Sequence, residues 1–157
     1  MLSSRFSSGL RPPGSGVTAG PMRIAALDVG DARIGVAISD ELGLTTRGLG
    51  VVRRQGGNRD LEAIARLLNP YPVERVVVGL PLNMDGSEGK QAEKTRRFAA
   101  RFGEHTGLAV ELWDERLTTV EAEGVMRETG VARRKRRGLV DQVAAAGILR
   151  SYLARRG

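Results

Sequence analysis

Ile24-Ala25-Ala26-Leu27-Asp28-Val29-Gly30-Asp31-Ala32-Arg33-Ile34-Gly35-Val36-Ala37-Ile38-Ser39-Asp40 consists of two runs of small and β-branched apolar residues joined by Gly30-Asp31-Ala32. The pattern reads as a strand, a tight turn and a second strand. Asp28 interrupts it. A carboxylate in a strand destined for burial costs several kcal/mol unless it is paired, hydrogen-bonded or bound to a metal, so the rest of the chain must supply it with a partner.

Working outward, Leu44 to Arg54 forms a third strand, made irregular by Gly48 and Gly50. Leu61, Ile64, Ala65 and Leu68 recur at helical spacing, with Asn58 as the cap and Pro70 ending the run. Val73 to Leu80 contains Val76-Val77-Val78, a continuous apolar run of the kind buried on both faces of a parallel sheet. Pro81 and the polar stretch Asn83 to Gly89 break it, and a second helix carries Phe98, Ala99 and Phe102. Leu108 to Trp113 is a fifth strand. Thr118-x-x-Glu121 is a capping box that opens a third helix stopping at Gly130. A basic run follows, and Val140 to Leu153 is the last helix. The order is β-β-β-α-β-α-β-α-α. It predicts an α/β fold with a five-stranded mixed sheet, an antiparallel β-β-β meander followed by two parallel strands, flanked by helices.

At 157 residues, 41% apolar and 27% charged, the chain suffices for one domain with a real core. Residues 1–21 are rich in Ser, Gly, Pro and Arg and contain no acid, so they read as a disordered extension, with Met22 as the expected start and 22–157 as the domain. No apolar run approaches the length that crosses a bilayer, and none resembles a signal-peptide core. The absence of cysteine excludes disulfides and thiolate metal sites and fits a reducing, cytoplasmic location. With His105 the sole histidine, any metal must be held by oxygen, which favours magnesium, manganese or calcium over zinc. The net charge of +7 is accounted for by Arg5, Arg11 and the run Arg133-Arg134-Lys135-Arg136-Arg137, leaving the remainder neutral. Charge gathered in this way suits a protein that grips phosphates at one place, so a nucleic acid is the expected partner and a membrane is not.

Asp28 lies on the first strand, Asp114 and Glu115 at the end of the fifth, and Asp141 in the first turn of the predicted last helix. A fifth strand brought near the first and a terminal helix laid over the sheet would gather these acids. Convergent carboxylates repel one another, and divalent cations relieve the repulsion. Two Mg²⁺ or Mn²⁺ ions about 3.5–4 Å apart would clamp a phosphodiester, with Asp28 bridging them and Glu115 and Asp141 each completing one site. Asp114 is held in reserve; Asp114, Glu115 and Asp141 all also have a structural reading, since carboxylates favour helix N-termini. Arg33 and Arg116, beside the acids, either hold the scissile phosphate or neutralise the cluster. Lys90, closing the loop after the fourth strand, and Arg133 to Arg137 are further candidate phosphate contacts. The loop is not a Walker A motif, because Met84 stands where its first glycine belongs.

Leu27-Asp28-x-Gly30-x-x-Arg33-Ile34-Gly35-Val36-Ala37, Gly79-Leu80-Pro81-Leu82-x-Met84-Asp85-Gly86-Ser87, Asp114-Glu115-Arg116-Leu117-Thr118-Thr119 and Asp141-x-x-Ala144-Ala145-x-x-Ile148-Leu149 together resemble the YqgF/RuvX family, in the family's order and over residues 22 to 153. The resemblance implies an RNase H-like fold and a metal-dependent nuclease whose acidic positions map onto Asp28, Glu115 and Asp141. Two roles come with it: maturation of the 5′ end of pre-16S ribosomal RNA, the preferred expectation, and Holliday junction resolution. The second requires a dimer, and the sequence leaves monomer and homodimer open. Two other classes compete. Asp-x-Gly also resembles the phosphate hairpin of actin-like ATPases and sugar kinases, which need two such domains. A non-catalytic RNA-binding factor would use the basic run and keep the acids for structure.

Overall fold

The computed structural model of the chain describes residues 22–117 and 133–156. The expected extension 1–21, the capping box at Thr118 and Glu121 with its helix to Gly130, and the side chains of Arg133 to Arg137 lie outside the described residues. The elements are β1 (Arg23–Val29), β2 (Arg33–Ser39), β3 (Thr46–Arg53), α1 (Asn58–Leu68), β4 (Val73–Leu80), α2 (Lys90–Thr106), β5 (Ala109–Asp114), a 3₁₀ turn (Glu115–Leu117) and α3 (Arg133–Arg156).

The sheet has the order β3-β2-β1-β4-β5. β1 pairs antiparallel with β2, β2 antiparallel with β3, and β4 runs parallel to both β1 and β5. The β1–β2 connection is the turn read from Gly30-Asp31-Ala32: the Gly30 N–H donates to the Arg33 carbonyl at 2.9 Å. The register of β2 on β3 shifts between Val36 and Ala37, opposite Gly48 to Gly50, so the irregularity expected of those glycines is a bulge.

Because side chains alternate along a strand, each central strand feeds two different cores. Leu27 and Val29 from β1, Ile34, Val36 and Ile38 from β2, and Val76 and Val78 from β4 face α1 and α2, where they meet Leu61, Ile64, Leu68, Phe98 and Phe102. Ile24 and Ala26, with Ala37 and Val77, face α3 and meet Ala145, Ile148, Leu149 and Tyr152. The edge of this second layer is tied by polar contacts. Trp113 donates its indole N–H to Ser151 Oγ at 3.1 Å, and the Tyr152 hydroxyl donates to Glu111 at 2.9 Å.

Three expectations need correction. α3 begins at Arg133, so the basic run is the first part of the last helix and not a loop before it. Asp141 consequently stands eight residues into that helix, about two turns from its start, not in its first turn. Asn58 is the first residue of α1, whose cap position is Gly57 at φ 59°, and no side chain caps it. Asp60 instead reaches back to the preceding loop, accepting from the N–H groups of Gln55 at 2.8 Å and Gly56 at 3.3 Å. Among the described residues no helix is long and apolar enough to cross a membrane.

Candidate active site

The C-terminal ends of β1, β4 and β5 meet beneath α3, and glycines let them do so. Asp28 on β1 lies directly opposite Gly35 on β2. A Cβ added to Gly35 would overlap the backbone carbonyl of Asp141, so the helix backbone rests on the strand at that point. On β4, a Cβ at Gly79 would lie 2.9 Å from Glu115 Oε2 and 2.6 Å from Ile148 Cδ1. Each missing side chain makes room for an acid. Asp28, Glu115 and Asp141 therefore gather on the α3 face, although they are separated by long stretches of sequence.

Asp28 and Glu115 meet directly. Burial pushes the Glu115 carboxyl up to about 8, with the negative charge of Asp28 and a hydrogen bond to it acting in the same direction. Asp28 is also raised, first by burial and further by the charge of Asp141, while the hydrogen bond from Glu115 works against the rise. Both carboxyls are thus raised above their ordinary range, by burial and by the closeness of acid to acid. Asp141 is turned the other way: Arg33 Nε donates to its Oδ2 at 2.5 Å, in a half-buried ion pair linking β2 to α3. Among the described residues, which include Asp28, Glu115 and Asp141, no three acidic or histidine side chains stand close enough together to hold a metal ion.

Asp60 shows what a structural buried acid looks like in the same molecule. It is 2% exposed, yet the amides of Gln55 and Gly56 and the Arg54 guanidinium outweigh its desolvation and hold its carboxyl below the usual range. Asp60 is met by donors, whereas Asp28 is met by another acid. The sequence reading passed over Asp60, and the signal for it was slight: an acid in the first turn of a helix just after Gly56-Gly57.

The remaining candidates are distributed more widely. Arg116 is bound to its neighbour, donating from its backbone N–H and guanidinium to Asp114, with a closest approach of 2.7 Å, and from Nη1 to the Met84 carbonyl at 3.1 Å. The Arg116 hydrogen bonds hold Asp114 below the usual carboxylate range. Together they clip the loop after β4 to the end of β5. That loop is internally satisfied: Leu82 bridges Glu88, Asn83 N–H donates to Ser87 O, and Ser87 N–H to Asp85. Lys90 is the exposed first residue of α2. His105 falls in the last turn of α2.

Comparison with known proteins agrees with this architecture. The model of the RuvX family, described as Holliday junction resolvase, matches residues 22–155. A protein of Halothermothrix orenii named "Putative pre-16S rRNA nuclease" is 53% identical over 132 residues, covering 84% of this chain and 94% of its own. One of the same name from Syntrophus aciditrophicus is 52% identical, covering 84% of this chain and 88% of its own. Among solved structures, T. thermophilus RuvC in complex with Holliday junction substrate superposes with a TM-score of 0.50 at 19% identity, over 87% of this chain and 96% of that one. At that identity the likeness concerns the fold, which is the RNase H-like arrangement of a mixed five-stranded sheet. By the extent of the family match and the level of identity to its relatives, the chain belongs to the RuvX family.

Proposed function

We propose that this chain is a metal-dependent endonuclease that hydrolyses a phosphodiester bond in the 5′-end maturation of pre-16S ribosomal RNA, with Asp28, Glu115 and Asp141 as ligands to two divalent ions, Mg²⁺ or Mn²⁺. The observation that carries the reading is the half-buried Asp28–Glu115 pair, two carboxyls held together at the end of the sheet and both raised above their ordinary range. Such a pair raises the energy of the folded protein and persists where a cation completes it. Its donor set, oxygen throughout, suits a hard divalent ion.

When bound, the ions supply the positive charge that activates an attacking water and stabilises the leaving oxygen. The chain's own residues prepare for this. Asp28 and Glu115, both raised while they face each other without a cation, would act as ligands in their ionised forms. Gly35 and Gly79 fix the approach of α3 and of the 3₁₀ turn, so the three acids are set by backbone packing more than by flexible side chains. Arg33 orients Asp141 from the β2 side and lends the cluster one positive charge beside the path of the scissile phosphate. Arg116 clips the loop after β4 to β5 and so shapes the edge of the cleft.

The test is cleavage, with Mg²⁺ or Mn²⁺, of a labelled precursor rRNA 5′ segment beside a four-way DNA junction. Wild type is expected to cut the RNA, and Asp28→Asn, which keeps the shape and removes the charge, to lose about a thousandfold or more in rate, equivalent to ~4 kcal/mol of barrier. Cleavage of the junction alone would move the role to recombination. Binding without cleavage under any divalent ion would replace the nuclease by an RNA-binding factor.

A further inference from the structure

On the opposite face of the sheet from the acid pair, a cavity of about 310 Å³ opens between the β1–β2 turn and α2, lined by Val29, Asp31, Arg54, Lys94, Arg97 and Arg101 among others. Four of these six are cations, and among the described residues lining it Asp31 is the one acid. Resting on the nuclease reading above, we propose that this groove carries the phosphates of the nucleic-acid strand flanking the scissile bond, as the strand leaves the acid pair and passes over the β1–β2 turn.

The α2 side of the groove is a stripe. Lys90, Lys94, Arg97 and Arg101 fall at helical spacing on one face over 11 residues, about 16 Å of helix axis, and all are exposed. Their partners are few. Lys94 approaches Asp31 at 3.8 Å between two exposed side chains, Arg101 makes only a long 3.5 Å contact to Asn58, and no ion pair is found for Arg97 among the described residues. Such a stripe disfavours the isolated helix twice over. Like charges three and four residues apart repel, and Lys90 stands in the first turn, where the helix dipole favours anions. A polyanion lying along the stripe relieves both effects.

The opposite wall is rigid. Arg54 donates to the Gly30 carbonyl at 2.7 Å and to Asp60 at 2.9 Å, and its guanidinium lies 5.3 Å from the centroid of the Phe98 ring. These contacts fasten the β1–β2 turn to the end of β3 and hold a further positive charge at the floor. Position supplies the link to catalysis. Val29 lines the groove and Asp28, its neighbour in the chain, points to the acid pair, so the two sites share one strand end on its two faces. A second cavity, between β3 and α1, also contains arginines, Arg53, Arg59 and Arg66, but it lies at the far edge of the sheet and provides an internal control.

The experiment is binding, read by fluorescence anisotropy without divalent ions and over a salt series, of labelled single-stranded RNA of ~6 and ~20 nucleotides. Arg97→Gln with Arg101→Gln, both exposed and checked for an unchanged fold by circular dichroism, is compared with Arg59→Gln plus Arg66→Gln. The proposal expects wild type to bind the long probe more tightly than the short one. It expects the groove variant to lose roughly tenfold on the long probe, with the salt slope falling by about 1.4, or 0.7 per lost phosphate contact. The Arg59/Arg66 variant should follow wild type. If the groove variant matches wild type, or if the control loses as much, the groove proposal is overturned while the acid site stands. If wild type binds neither probe, the groove proposal falls together with the nucleic-acid reading of the acid site. Because the readout needs no cleavage, failure of the groove is distinguished from failure of the nuclease reading, which the cleavage assay tests separately.

Discussion

The two faces of the sheet are built by opposite rules. The face under α1 and α2 is filled with large side chains: Leu27, Ile34, Val36, Ile38, Val76 and Phe102 are fully buried there, and Phe98 stacks on Phe102 at 6.4 Å between ring centres. The face under α3 also buries Ile24 and Val77, but around the acids it is pared down to Ala26, Ala37, Gly35 and Gly79, and the space released is given to carboxylates and to the helix backbone. One face releases free energy by burying apolar area. The other consumes part of it to hold acids together in a place where acids repel. The comparison shows where the domain keeps its stability and where its chemistry sits, divided by a single layer of backbone.

Three changes should break or sharpen that contrast. The largest effect on stability belongs to the packed face: Phe102→Ala, removing a fully buried ring, is expected to cost about 3–5 kcal/mol, read as a lowered denaturation midpoint in urea. A cost below ~1 kcal/mol would show that this face is not the main store of stability.

Gly35→Ala acts on the other face and is smaller in stability but reaches function. The new methyl meets the Asp141 backbone and cannot be accommodated by side-chain motion, so α3 must move. Overpacking of this kind costs about 1–3 kcal/mol, and an ångström of displacement at the acids lowers the cleavage rate by roughly a hundredfold. A variant with wild-type cleavage would show that the contact does not position the site.

The mildest change is pH. Glu115 titrates near 8 in the folded chain, against about 4.5 when unfolded, so between those values the folded state holds the extra proton. Stability of the metal-free protein is therefore expected to fall as pH rises from about 4.5 to 8, and this contribution should be flat on either side. Added Mg²⁺ competes with that proton, so the rise in melting temperature it produces should grow across the same window. A Mg²⁺ effect independent of pH would separate the metal from the Asp28–Glu115 pair.

Much of this was legible in the chain. The alternation and composition of Ile24 to Ser39 fix a hairpin, and Val73 to Leu80 coincides with β4 residue for residue. These readings succeed because hydrophobic period and turn chemistry act over a few residues. The limits of α3 were harder, because Arg133 to Arg137 are acceptable helix formers that charge alone cannot tell from a loop. Lys94, Arg97 and Arg101 went unremarked in a chain rich in arginine, since their significance lies in the cavity they border and not in their spacing. Arg116 offered no sign that its guanidinium is bound to Asp114 and Met84.

The sequence by itself determined the five strands, the first two helices, the family and the oddity of Asp28, because an acid inside an apolar strand is costly wherever that strand is placed. Only the tertiary structure decided what Asp28 faces. Strand order β3-β2-β1-β4-β5 puts the end of β5 one strand beyond β4 from β1, and the glycines at 35 and 79 let α3 and Glu115 close over the gap. Those contacts join residues far apart in the chain, and their energy comes from packing that no local pattern encodes.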